Sequence, residues 1–163
     1  MAELTNMDTK VAEVIGLAQA AQGATEKVEK LVEDQSLKQT LQRMREEAVE
    51  TEERTTRVVE GFDGKKTAIL DKARETKQEA TEMMQTYLGQ DADGLDGFEF
   101  LTMAEAGEVG HWEILGTLNE RARNAALREV IDWATPIQER HLEEARKGSL
   151  QLAADEDPNE PAA

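Results

Sequence analysis

Apolar residues recur at three- and four-residue spacing through five consecutive stretches of this chain, and that period demands helix. The first helix is predicted from about Asp8 to Asp34. Val11, Val14, Ile15, Ala18, Ala21, Thr25, Val28 and Val32 form its stripe. Gly16 and Gly23 interrupt it and point to close packing against a neighbour, or to a weak spot. Ser36-Leu37-Lys38-Gln39 reads as a capping box that opens a second helix, with Leu37, Leu41, Met44, Ala48, Thr51, Thr55, Val58 and Phe62 as its stripe. Gly61-Phe62-Asp63-Gly64 stops that helix. The link between the first two helices is so short that they must form an antiparallel hairpin.

A third helix is predicted from about Lys65 to Leu88, followed by a loop over Gly89 to Gly97. That loop has Asp96 where a calcium-binding EF-hand needs glycine and Thr102 where it needs glutamate, so its Asp and Gly residues read as turn formers. Asp96 with Glu99 gives a weaker capping signal for a fourth helix to about Arg123. The fifth is predicted from Ala125 to Lys147, with a kink or restart at Thr135-Pro136 and a stop at Gly148. Residues 1–149 form one helical domain on this reading, and 150–163 an acidic, disordered tail.

Composition agrees with an all-α chain. Aromatic residues make up 4% of the 163 residues and there are three prolines, so aliphatic side chains on good helix formers must build the core. The net charge of -16 and the lack of a basic patch argue against direct nucleic-acid binding. Cysteine is absent, which excludes disulfides and thiolate chemistry. No apolar run approaches the roughly 20 residues that span a bilayer. Residues 1–10 lack the basic start and apolar block of a signal peptide, so a cytoplasmic setting is expected. The motifs of a serine hydrolase, a phosphate-binding loop and a dinucleotide site are missing.

The two histidines carry the chemical interest. Glu108 and His111 are three residues apart and share a helix face with Leu101, Ala104, Leu115 and Leu118. Glu-x-x-His is a spacing that carboxylate-bridged di-metal bundles use, and carboxylates with imidazole suit iron, manganese or zinc. The competing reading of His111 is a hydrogen-bonded interior or interface histidine. His141 shares a face with Ala134, Ile137, Gln138 and Ala145 and is expected to point inward. Its competing reading is a partly exposed histidine near the helix C-terminus. On the second helix Glu46, Glu47, Glu50, Glu52 and Glu53 form an acidic run, most of it expected on the surface. The first helix offers Gln19 and Gln22 where a ligand would be expected.

Several stretches resemble one family. Ser36 to Leu41, Glu50-Thr51-Glu52, His111-Trp112-Glu113-Ile114 with Gly116-Thr117-Leu118, and Gln138-Glu139-Arg140 are similar to the small bacterial stress-associated ferritin-like proteins of the YciF/YciE type. The looser likeness runs from about Val11 to Lys147. It implies a ferritin-like four-helix bundle of two antiparallel hairpins, with the segment from Lys65 to Leu88 as an additional connecting helix. It also implies a homodimer and a di-metal centre holding iron or manganese. The ligands carried over are Glu50, Glu113 and Glu139, with His111 beside Glu113. Against the family pattern, the region of Ala21 and Gln22 replaces a glutamate, Glu47 stands for a histidine, Gly110 for a glutamate and Gln138 for an acidic residue.

The helical wheel favours Glu108 with His111 and the resemblance favours Glu113, and these faces are nearly opposite. The candidate metal ligands are therefore Glu50, Glu108, His111, Glu113, Glu139 and His141. Three functions follow as expectations. The first is a protein binding one or two metal ions, in stress response or iron oxidation. The second is a metal-free helical dimer that binds a partner, with Trp112 and Trp133 as anchors and Gly107, Gly110 and Gly116 permitting close approach. The third is a bundle that holds an organic ligand between its helices, with His111 as acid or base.

Overall fold

The computed structural model describes residues 2–162, which form five α-helices and no strand. They are α1 (Asn6–Glu29), α2 (Gln35–Val59), α3 (Lys66–Tyr87), α4 (Gly94–Ala122) and α5 (Ala125–Ala154). Among these residues no helix is long and apolar enough to cross a membrane.

Side-chain caps set the helix starts. Thr5 and Asp8 form a reciprocal capping box on α1. Asp34 caps α2 by accepting from the Leu37 N–H at 2.9 Å, so Ser36 lies inside the helix and the box expected over Ser36 to Gln39 is not the start. A carboxylate there also meets the positive end of the helix dipole, which a serine hydroxyl does not. Asp93 and Asp96 likewise cap α4, three residues before the expected Asp96/Glu99 pair. Arg123, in the left-handed region at φ 55°, ends α4, and Asn124 caps α5. Helix α5 runs through Pro136, so the expected restart at Thr135 is not made. It also runs past Gly148, so five residues from 150 to 154 that were expected in the tail are helical.

Helices α1, α2, α5 and α4 contact one another in a closed ring, and α3 packs on α1. The ring has an apolar core at each end. One holds Val11 and Ile15 of α1, Val59, Ile69, Trp112 and Leu115, and Leu127 and Ile131 of α5. The other holds Val28, Leu41, Met44, Phe98, Leu101 and Ala145. Each core therefore takes the N-terminal half of some helices and the C-terminal half of others. From this, α1 and α2 are antiparallel, as are α4 and α5, and α3 runs alongside α1 in the same direction.

Of the glycines that allow close approach, Gly16 and Gly148 are the tightest. A Cβ on Gly16 would strike the Ala73 carbonyl and lie 2.7 Å from Thr76 Cβ, so α1 and α3 touch backbone to backbone. A Cβ on Gly148 would enter the ring of the fully buried Phe98. Gly23, Gly107 and Gly110 face open space, and Gly116 has only an ordinary contact 3.5 Å from Ile131. The close approach expected at Gly107, Gly110 and Gly116 is thus made elsewhere within this chain.

Gly16→Ala and Gly148→Ala should each lower the unfolding free energy by about 1–3 kcal/mol through overpacking. They should do so although alanine is the better helix former by about 1 kcal/mol. Gly107→Ala should raise stability by roughly 0.5–1 kcal/mol. Urea denaturation of the three variants reads the contrast, and a gain in all three would contradict the packing.

Candidate functional site

Between the two apolar cores lies a polar layer drawn from α2, α4 and α5. Glu105 and Glu108 of α4 are one turn apart and are 1% and 5% exposed. Gln138 of α5 donates from its amide nitrogen to both, at 3.2 Å to Glu105 Oε2 and 2.9 Å to Glu108 Oε2. His141, one turn further along α5 and 2% exposed, stands between carboxylates from two helices. Its Nε2 is 3.3 Å from Glu47 Oε1 of α2, and its Nδ1 is 3.7 Å from Glu105 Oε2. Arg140 grips Glu47 with both terminal nitrogens, and Arg43 pairs with Glu144 at the edge of the layer. Among the described residues neither Glu105 nor Glu108 pairs with a lysine or an arginine. From α1, Ala21 lines a cavity together with Glu105 and Glu108.

The layer shifts its own protonation equilibria. Burial pushes the Glu108 carboxyl well above its ordinary 4.5, the Glu105 charge adds to this, and the Gln138 hydrogen bond opposes it. Burial pulls His141 down, but Glu105 and Glu47 beside its ring nitrogens outweigh this and hold it above its ordinary 6.5. Burial raises Glu47, but the Arg140 and His141 contacts outweigh that and hold it low. Asp8 is likewise held low, its burial outweighed by Lys65, whose ammonium is 2.7 Å away.

These directions fix how stability depends on pH in the metal-free protein. Folded Glu108 keeps a proton that the unfolded chain loses near 4.5, so stability falls as pH climbs from there toward its folded value. The raised His141 contributes fully below 6.5, and its contribution is lost as pH rises through the folded value. Glu47 and Asp8 contribute above their ordinary values of 4.5 and 3.8, and their contribution is lost as pH falls through their depressed ones. The melting temperature should therefore be higher at about pH 5 than at about pH 8, and Glu108→Gln should shrink the difference. A melting temperature that climbs steadily to pH 8 would contradict these assignments.

Of the six candidate ligands, the structure brings only Glu108 and His141 into this layer. Glu50 is half exposed and bonds Arg54 one turn on, at 2.8 Å. The Arg54 guanidinium in turn covers the Trp133 ring, 4.2 Å from its centre. Glu113 and Glu139 are exposed and border a shallow groove on the outside of α4 and α5. The question between Glu108 and Glu113 is settled: Glu108 faces inward. His111 sits at the edge, with Nδ1 2.8 Å from the Gly107 carbonyl and Nε2 3.3 Å from Glu13 Oε2 of α1. Sequence reasoning did not nominate Glu47, Glu105 or Gln138 as ligands, although the resemblance marked Glu47 and Gln138 as departures. Trp112 is 1% exposed inside a core and is no surface anchor.

The donor types suit a divalent ion, since carboxylates and imidazole converge on one buried level. Among the described residues, however, no three His, Asp or Glu groups are placed to hold a metal ion as they stand, and the Gln138 amide bridges the two α4 carboxylates. Next to this layer a cavity of about 330 Å³ opens between α1, α3 and α4, with Glu105, Glu108 and His111 on its wall. Compared with models of protein families, with curated proteins and with solved structures, the chain matches none.

Proposed function

We propose that this chain is a ferritin-like bundle protein whose mid-bundle layer takes up one divalent cation, iron or manganese being the expected ions. The observation that carries the reading is the Glu105–Glu108 pair, buried without a lysine or arginine partner among the described residues. Two carboxyls in that position need a proton or a cation between them. A ring of four helices with α3 as the link between its hairpins supports the resemblance.

The surrounding groups support a single ion. His141 Nδ1 and Glu105 Oε2, 3.7 Å apart, are close enough to be ligands of the same ion at roughly 2.0–2.2 Å each. Glu108, which shares the Gln138 amide with Glu105, would be the third ligand. Glu47 accepts from the other ring nitrogen of His141 and so fixes the ring, the arrangement that metal-binding histidines use. On α1, Gln19 and Gln22 turn instead to Glu52 of α2. Bound iron or manganese would supply Lewis-acid and redox chemistry. On the resemblance alone, the setting is stress response or iron oxidation, and the chain pairs into a homodimer that sedimentation can measure.

Elemental analysis after anaerobic loading of metal-free protein with Fe(II) or Mn(II) tests the reading. About one ion per chain is expected, lost in Glu108→Gln and His141→Gln and kept in Glu113→Gln and Glu139→Gln. No metal above background in the unaltered protein, or loss only in the two outer variants, overturns it.

A further inference from the structure

We infer that the cavity between α1, α3 and α4 binds a small, largely apolar molecule that ends in a hydroxyl, such as an alkyl alcohol. This goes beyond cation binding and concerns the metal-free protein. The cavity follows from how α3 is mounted. At Gly16 it is pressed against α1, but further along Ala20, Ala21 and Ala24 of α1 leave space that α3 does not fill. The resulting 330 Å³ lies within the range of small-molecule sites.

The wall chemistry selects the ligand. Met83 and Met84 of α3 and Phe100 and Met103 of α4 give it a hydrocarbon surface, and methionine adapts to the shape of what it meets. Met83 and Met103 stand largely exposed at the mouth, at 68% and 53%. The polar exception is the wall formed by α4. Glu108, 5% exposed, gives Oε2 to Gln138, and its Oε1 takes no hydrogen bond among the described residues. A carboxyl with a free oxygen beside a hydrocarbon cavity calls for a hydrogen-bonding group from the occupant. With two carboxyls at that wall and a net charge of -16, a ligand ending in a carboxylate is repelled.

Calorimetric titration of the metal-free full chain with 1-octanol, octylamine and octanoate, each below its micellar range, tests the site. The alcohol decides the matter, because surface charge alone can hold the amine. Saturable binding of octanol is expected, with octanoate about tenfold weaker or worse. Gly107→Leu places a side chain at a cavity-lining position where a Cβ meets nothing within 4 Å. It should weaken octanol about tenfold while the melting temperature holds or rises.

Ala20→Leu narrows the floor and should act in the same direction. The inference is overturned if octanol does not bind, if octanoate binds as well, or if both variants bind octanol unchanged. It is also overturned if octanol binds only once a dimer dissociates, because the groove is then covered by a second copy. Loss of metal binding with octanol binding intact would sink the cation reading alone.

Discussion

Trp112→Ala should cost about 3–5 kcal/mol of unfolding free energy, among the largest losses available to a single substitution in this chain. The indole is 1% exposed and lies in the core formed with Leu115, Leu127 and Ile131. Truncation removes most of a large buried side chain, and the four ring helices around it cannot all collapse into the space. The sequence alone offered Trp112 as an anchor for a partner, which would give a large effect on association and little on folding. Its placement gives the opposite. Urea denaturation should show the full loss at both low and high protein concentration. A variant with unchanged unfolding and weakened self-association would contradict the core placement.

His141→Leu should have an effect of similar size by a different route. The imidazole stands between Glu47 and Glu105, and leucine fills much of its volume without its charge. Arg140 still holds Glu47, but Glu105 is left beside Glu108 with no positive group near it. Removing one partner of a buried ion pair costs about 3–5 kcal/mol, because the other charge stays buried. The imidazolium contributes fully below 6.5, so the cost is fully present there and shrinks as pH rises through the raised His141 value. Glu108→Gln should do the reverse at neutral pH and stabilise the metal-free protein. Chemical denaturation across pH separates the two. A His141→Leu protein as stable as the parent at neutral pH would mean that the layer is not electrostatically coupled.

The number and order of helices were legible because each buries a stripe with a clear period. The ends were less so. Asp34 and Ser36 are both competent caps, and only the local backbone selects the carboxylate. Gly148 looked like a stop because glycine commonly ends helices, but here it makes room for Phe98, about 50 residues earlier in the chain.

The site was half legible. Leu101, Glu105, Glu108, Trp112, Leu115 and Asn119 are all buried and alternate by four and three residues. Leu127, Ile131, Ala134, Gln138, His141, Ala145 and Gly148 do the same on α5. Glu105 and Gln138 could have been found by continuing those stripes through their polar members. Hydrophobic periodicity passes over them, because a polar side chain counts as surface until its partner on another helix is known. Glu113 and Glu139 each follow a buried residue by one position, and that rotation of about 100° per residue carries them outward. The cavity had no local signal, since it depends on the spacing of α3 from α4.

Proton release measures most directly whether a cation enters the layer of Glu105, Glu108 and His141. Metal-free protein, held at constant pH near 6 without buffer, is titrated with Mn(II). Binding should saturate at about one ion per chain and release protons, because the ion displaces those held by Glu108 and His141. The release should vanish in a Glu108→Gln, His141→Gln double variant and persist in Glu50→Gln. Saturable binding without proton release, or release that survives the double variant, would place the ion elsewhere and contradict the central claim.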